Sequence, residues 1–148
     1  MSAFKRILLV EDDPQDVELT LAALAETNLA NEVAVVPDGV EALDYVYRRG
    51  PFTDRPAGNP LVILLDLKLP RLDGVQVLRH LKADEALRLI PIVTLTSSRE
   101  NSDLVECYKL GVNAYVVKPV RFTEFVAAVK GLGRFWALIN EPPPVASQ

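Results

Sequence analysis

The chain has little of several features, and each shortage argues against a class of protein. It has one cysteine among 148 residues, so it cannot form an internal disulfide, and we expect a reducing compartment. No apolar run approaches the ~20 residues of a membrane-spanning helix, and no signal peptide is visible. The net charge of −4 argues against a nucleic-acid-binding surface. We therefore expect a cytoplasmic protein that binds neither membranes nor nucleic acids.

The composition is that of a globular domain. Apolar residues make up 49% of the sequence and charged residues 24%. A chain of 148 residues is long enough to bury a sizeable core. We expect one domain over residues 1–140. The segment 141–148 contains three consecutive prolines, and we expect it to be a disordered or extended tail.

Five short apolar runs predict five β-strands. Each run is apolar throughout rather than alternating, which is typical of parallel strands covered on both faces. A segment with helical spacing of apolar residues follows each run, so strands alternate with helices. The predicted strands are 5–10, 32–36, 61–65, 91–95 and 114–117. The sequence therefore predicts an α/β fold with a five-stranded parallel sheet and five helices.

Several residues mark the predicted ends of helices. Asp13 is a plausible N-cap of the first helix, with Pro14 at the first helical position. Gly111 follows the fourth helix, where a glycine C-cap is common. Thr123 precedes the apolar residues of the last helix, and we expect it to be the N-cap.

Polar side chains follow four of the predicted strands. Glu11 and Asp12 follow the first strand, Asp66 the third, Thr96 the fourth and Lys118 the fifth. Each of these residues has an ordinary structural explanation by itself, and for Asp66 alone a turn residue or a helix N-cap is the favoured one. Parallel strands end at the same edge of a sheet, where open α/β sheets bind ligands. The combination therefore predicts one site built from three carboxylates, a hydroxyl and an ammonium.

The charges at this edge indicate what the site would bind. Three clustered carboxylates repel one another and need a cation. Carboxylate and carbonyl oxygens suit Mg²⁺, which readily shares oxygens with a phosphate. Lys118 and Thr96 are placed to bind phosphoryl oxygens. Asp66 would then be the nucleophile of a phosphoryl transfer that gives an aspartyl phosphate.

With these motifs the sequence resembles the receiver domains of two-component response regulators. The resemblance extends over roughly residues 5–138. It implies a flavodoxin-like, doubly wound sheet with strand order 2-1-3-4-5. The segments that carry the resemblance are VEDDP (10–14), DLKLPRLDG (66–74), TS (96–97) and YVVKP (115–119).

The resemblance implies a role for each acidic residue of the site. Asp66 is the phosphoacceptor and also a ligand of Mg²⁺. Asp12 is a direct metal ligand, and Glu11 binds the metal through water. The backbone carbonyl of Lys68 completes the protein ligands.

The resemblance also implies a conformational switch. Lys118 binds the phosphoryl group, and Thr96 and Tyr115 form the switch pair. On phosphorylation the Thr96 hydroxyl moves toward the phosphate and the Tyr115 ring turns inward. This movement changes the face formed by the fourth helix, the fifth strand and the fifth helix.

A narrower resemblance concerns the input. The loop 50–60 is rich in proline and glycine and is longer than in the commonest receivers. With residues 45–49 and the DLKLP segment, it resembles small regulators paired with phytochrome-type histidine kinases. The phosphodonor is then a histidine kinase, specifically a bacteriophytochrome. His80, the one histidine of this chain, lies mid-helix beside basic residues, and we expect an ordinary surface position.

Other functions remain open at this point. A receiver can also act as a phosphate shuttle or sink, or as a pseudo-receiver that is not phosphorylated. A phosphatase of the haloacid dehalogenase type needs a second acid two residues after the nucleophile, where this chain has Lys68. A flavodoxin-like FMN carrier needs a phosphate-binding loop after the first strand, where Glu11 and Asp12 would repel a phosphate. We favour a signalling module over a metabolic enzyme.

The last helix carries more apolar residues than one face can bury. The surplus predicts a partner surface, and we expect a homodimer through the fourth helix, the fifth strand and the fifth helix. In the alternative arrangement, Trp136 and Ile139 pack back on the same domain.

Overall fold

The computed structural model of the protein describes residues 4–119 and 121–144. Five strands make up its sheet: β1 Ile7–Val10, β2 Val33–Val36, β3 Val62–Leu65, β4 Ile92–Thr96 and β5 Ala114–Val117. They pair in parallel in the order β2-β1-β3-β4-β5. The predicted sheet and its strand order are confirmed.

Five α-helices connect and follow the strands. They are α1 Pro14–Ala25, α2 Gly39–Tyr47, α3 Gly74–Ala83, α4 Asn101–Leu110 and α5 Phe122–Arg134. Short 3-10 helices, 30–32 and 50–52, precede β2 and follow α2. A π-helical segment, 135–139, continues α5.

Aspartates begin the first three helices. The side chain of Asp13 accepts a hydrogen bond from a backbone N–H of the first turn of α1, as predicted. Asp38 and Asp73 do the same for α2 and α3. The prediction that Thr123 caps α5 was wrong. The Phe125 N–H donates to the carbonyl of Arg121, so the helix begins before Thr123, and Arg121 occupies the N-cap without a side-chain bond.

The sheet is buried on both faces, because successive strand residues point to opposite sides. Leu8, Ile63 and Ile92 pack in one cluster with residues of α2, α3 and α4. Leu9 and Leu64 pack in the other with residues of α1 and α5. This double covering explains why the strands are apolar throughout.

Cys107 belongs to the first of these clusters. It is 0% exposed, and burial raises the pKa of its thiol to about 11. The residue therefore packs as a small apolar side chain, as the sequence predicted.

One buried cation orders the long loop before β3. The guanidinium of Arg55 donates to the backbone carbonyls of Tyr45, Val46, Pro56 and Gly58. It also lies 4.4 Å from the centre of the Tyr45 ring. These contacts compensate the burial of the charge, and burial lowers the pKa of Arg55. The composition of the loop did not single out this residue.

The C-terminal residues 141–144 form neither helix nor strand. Their prolines line a cavity of about 130 Å³ together with residues before β3 and β4. Residues 145–148 of the predicted tail lie outside the described residues, and the division at residue 140 stays a prediction. Among the described helices, none combines the length and the apolar character needed to cross a membrane.

Candidate functional site

The strand register places the acidic residues side by side. Val10 at the end of β1 lies opposite Leu65 at the end of β3, so Glu11 and Asp66 follow at neighbouring positions. Carboxylate oxygens of Glu11, Asp12 and Asp66 all lie within 4.8 Å of one another. Glu11 is only 4% exposed and Asp66 only 7%, so water screens their repulsion poorly. The predicted acidic cluster is therefore present.

Lys118 crosses the edge of the sheet to these acids. Thr96 pairs with Val117, and the Lys118 N–H donates to the Thr96 carbonyl at 2.7 Å, which fixes the start of the segment after β5. The Lys118 ammonium lies 2.5 Å from Glu11 Oε1 and 3.0 Å from Asp66 Oδ2. Its side chain is 10% exposed. The amine predicted for this edge is thus in direct contact with two of the three clustered acids.

Asp16 is a site residue that the sequence interpretation missed. It lies in the first turn of α1, and its Oδ2 accepts a hydrogen bond from Lys118 Nζ at 2.8 Å. The available signal was its position two residues after Pro14, because a helix that starts there presents its first turn to the same edge. Nothing in the acidic motif itself separates Asp16 from an ordinary first-turn acid.

Burial and ion pairing have opposite effects on the pKa values of Glu11 and Lys118. Burial raises the pKa of Glu11 to about 7, although the hydrogen bond from Lys118 acts in the opposite direction. Burial by itself would lower the pKa of Lys118. Hydrogen bonds to Asp16 and Glu11 outweigh that effect, so the pKa of Lys118 is raised and the amine stays charged.

The two predicted switch residues flank the loop after β4. Thr96 is fully buried, and its Oγ1 accepts a hydrogen bond from the Ser98 N–H at 3.3 Å. Tyr115 is half-buried, and its hydroxyl donates to the Ser98 carbonyl at 3.0 Å. Both residues therefore bind the same residue of the loop, although no bond joins them directly.

Asp103 links this loop to α4. Its Oδ2 accepts a hydrogen bond from Ser98 Oγ at 2.6 Å and lies 3.6 Å from Lys68 Nζ. The side chain of Lys68 is thereby directed toward α4. The backbone N–H of Lys68 donates to Asp66 Oδ1 at 3.3 Å, and the role of its carbonyl as a metal ligand stays a prediction.

Gly74 is required by the close packing behind Asp66. It begins α3, and a Cβ atom here would overlap the carbonyl of Asp66 and the Cα of Leu67. Its own N–H donates to the Leu67 carbonyl at 2.9 Å. The Asp-Gly pair therefore serves two needs, because Asp73 caps the helix and Gly74 lets it approach the site.

The donor set fits a divalent cation. It consists of carboxylate oxygens, the ligands that hard ions prefer, and one member, Asp12, is exposed to solvent. Asp13 is directed away to cap α1, in agreement with its predicted role as a cap. His80 is exposed, as expected, but it lies in the last turn of α3 rather than in the middle of the helix.

The fold and the site define a class: doubly wound α/β proteins with an acidic cluster and a lysine at the carboxyl edge of the sheet. Residues 7–130 match the family model of the response regulator receiver domain. The chain belongs to this family of two-component signalling modules.

Phytochrome response regulators are among the proteins most similar to this chain. Response regulator Rcp1 of Synechocystis sp. is 36% identical over 132 residues, covering 89% of this chain and 88% of the relative. The structure of Mn²⁺-bound Rcp1 is similar with a TM-score of 0.87, at 34% identity and 95% and 99% coverage of the two chains. The phosphorylated cyanobacterial phytochrome response regulator RcpA also has a TM-score of 0.87, at 39% identity and 96% and 100% coverage. The bacteriophytochrome response regulator RtBRR is 60% identical, with a TM-score of 0.75 and 96% and 86% coverage.

A divalent cation should stabilise the folded protein through the acidic cluster. A ligand at a hundred times its Kd stabilises the native state by about 2.7 kcal/mol. In a domain of this size we expect MgCl₂ at that concentration to raise the Tm by several degrees. The substitution Asp12→Asn should largely remove this shift, because it deletes one charge from the cluster. Differential scanning calorimetry with and without the salt measures both proteins.

Asp13→Asn is the matched control, because it removes one charge at the neighbouring residue and asparagine is an equally good N-cap. This variant should retain the full shift. Equal shifts in the wild type and Asp12→Asn would show that the cation does not bind at this cluster.

Proposed function

We propose that this protein is a response regulator that accepts a phosphoryl group from a histidine kinase onto Asp66. Phosphorylation then switches a protein-interaction face in two-component signalling, and the input is a phytochrome. The main support is Asp66 itself, which follows β3 in a nearly buried position with Lys118 Nζ 3.0 Å from its Oδ2. We place the protein in the cytoplasm, where such a kinase presents its phosphohistidine.

The transfer requires an ionised Asp66. One carboxylate oxygen forms a bond to phosphorus while the phosphorus–nitrogen bond of the donor histidine breaks. The histidine ring leaves with the electron pair of that bond. In the part of the chain that the structure describes, Lys118 is the cation bonded to the reacting carboxylate, so it is suited to stabilise negative charge on the transferring group. Thr96 ends the neighbouring strand and would bind another phosphoryl oxygen.

We assign the acidic cluster to Mg²⁺. Asp12, Asp66, the Lys68 carbonyl and Glu11, the last through water, would hold it. When bound, Mg²⁺ neutralises charge on the phosphoryl oxygens and on the cluster. Support comes from the spacing of the three carboxylates and from the Mn²⁺-bound form of the relative Rcp1.

The switch would act through the loop that holds Ser98. If the Thr96 hydroxyl turns toward the phosphoryl group, its hydrogen bond with the Ser98 N–H is lost. Tyr115 and Asp103 contact the same loop residue, so its displacement would release the Tyr115 hydroxyl and shift the start of α4. The face formed by α4, β5 and α5 would therefore differ between the two states.

The alternatives are weaker on the same evidence. The position that a haloacid dehalogenase phosphatase fills with its second acid is Lys68, whose side chain is largely exposed. An FMN carrier would have to seat a phosphate against Glu11 and Asp12. A phosphate shuttle or sink uses the same chemistry at Asp66 and differs only in its partners, so we retain it as the alternative outcome of phosphorylation.

The proposal predicts one phosphoryl adduct on Asp66. We expect incubation with acetyl phosphate and MgCl₂ to add one phosphoryl group, seen by intact mass and lost at alkaline pH. The adduct should be absent with chelator and in Asp66→Asn. The control variant Asp84→Asn removes an acid at the C-terminal end of α3, the end opposite Gly74, which packs against Asp66, and should be phosphorylated like the wild type.

The absence of an adduct under every condition, including incubation with a cognate kinase, would contradict the assignment of Asp66. A stoichiometric adduct in Asp66→Asn would contradict it equally. Steady turnover of a phosphomonoester would instead favour the phosphatase.

We also propose a homodimer through α4, β5 and α5. Large apolar side chains remain exposed on α4 and on the segment after α5, among them Val105, Tyr108, Leu138 and Ile139 at 61%. Trp136 packs against the core cluster of its own domain, whereas Ile139 does not. The alternative, in which both residues pack back on their own domain, therefore holds for Trp136 and fails for Ile139.

The dimer is tested by sedimentation velocity at high micromolar concentration, with and without acetyl phosphate. We expect a dimer that Val105→Glu converts to monomer, because a charge would be buried in the interface. Leu89→Glu is the matched control, since Leu89 is equally apolar and exposed but precedes β4. A monomer in every condition, or equal dissociation of both variants, would contradict the proposed face.

A further inference from the structure

Lys118 uses all three of its ammonium donors on carboxylates. Glu11, Asp16 and Asp66 each accept one hydrogen bond, at 2.5, 2.8 and 3.0 Å. An ammonium has three N–H donors, so this set saturates it. Any new contact of Lys118 with a phosphoryl oxygen must therefore replace an existing one.

The three acceptors differ in what else they bind. Glu11 and Asp66 belong to the cluster whose oxygens lie within 4.8 Å of one another, and a cation would draw on both. Asp16 is outside that cluster and lies in the first turn of α1. It is the one carboxylate bonded to Lys118 that neither the cation nor the reacting phosphoryl group claims.

We propose that Asp16 is a positioning residue for phosphoryl transfer, which holds the Lys118 ammonium at the site while Glu11 and Asp66 exchange it for the cation and the phosphoryl group. The proposal rests on the proposed role of Asp66 as phosphoacceptor. Without Asp16, a bound cation would compete with Lys118 for both remaining acceptors and leave the ammonium without a carboxylate partner. The cation would then bind less tightly, and the ammonium would be less well placed for transfer.

An ordinary structural role for Asp16 makes different predictions. A first-turn acid stabilises a helix through its charge near the N-terminus, whatever it contacts. The hydrogen bond from Thr20 Oγ1 reaches the backbone carbonyl of Asp16 and does not depend on its side chain. A purely structural Asp16 would therefore affect stability without changing cation affinity or transfer rate.

The test compares Asp16→Ala, Asp16→Asn and Asp16→Glu with the wild type. Mn²⁺ affinity is measured by electron paramagnetic resonance of the free ion, and the rate of adduct formation by mass at saturating MgCl₂. For Asp16→Ala we expect a roughly tenfold weaker Mn²⁺ affinity and a slower transfer, since a charge-assisted hydrogen bond is lost. Asp16→Asn retains an acceptor oxygen, so its Mn²⁺ affinity and transfer rate should lie between those of Asp16→Ala and the wild type. Asp16→Glu should restore both values toward those of the wild type.

Glu18→Ala is the matched control, because it removes one negative charge from an exposed position of the same helix. It should leave the affinity and the rate unchanged. Wild-type affinity and rate in folded Asp16→Ala and Asp16→Asn would overturn the role of Asp16, as would equal effects of Glu18→Ala. If the wild type forms no adduct even with a cognate kinase, the role of Asp66 fails, while the Mn²⁺ comparison still decides whether Asp16 supports the cation site.

Discussion

The hydrogen bonds of the Lys118 ammonium hold together the carboxyl edge of the sheet. They join the segment after β5 to β1, α1 and β3, through acceptors as far as 107 residues away in the sequence. Four carboxylates gather at this edge, and within the described residues Lys118 is the one ammonium bonded to any of them, with three of the four as its acceptors. The site therefore carries excess negative charge that water screens poorly. This excess charge favours the binding of a divalent cation.

The same contacts would connect the proposed phosphorylation to a change in conformation. The proposed phosphorylation of Asp66 would alter the partners of Lys118 and of Thr96, and Thr96 is bonded to the loop that also holds Tyr115 and the start of α4. Each of these hydrogen bonds joins one donor to one acceptor. A residue that forms a bond to a new partner therefore releases its former partner. The site and the proposed interaction face are thus parts of one hydrogen-bonded arrangement, without any need for a separate transmitting element.

The parallel sheet and its covering helices could be predicted because the strands are apolar on both faces and alternate with helical segments, whereas the strand order was implied by the resemblance to receiver domains. The sequence also predicted that the strand ends share one edge of the sheet, and the register of β1 against β3, which the structure supplies, places Glu11 and Asp66 at neighbouring positions. Side chains that act at a distance were harder to predict. Asp16 resembles any acid in a first helical turn, and Arg55 resembles any loop arginine, since its partners are backbone carbonyls that no sequence pattern displays. Thr123 was misjudged for a local reason, because an N-cap preference cannot locate a helix start that an earlier backbone hydrogen bond determines.

The most direct measurement is the ammonium NMR signal of Lys118, assigned by its loss in Lys118→Arg. An ammonium bonded to three carboxylates exchanges its protons slowly, so the signal should be visible in the metal-free protein and distinct from those of exposed lysines. We predict that it shifts when MgCl₂ is added and shifts again on phosphorylation, because its acceptors change at each step. A signal that matches those of exposed lysines, or that stays unchanged through both steps, would contradict the central role given to Lys118.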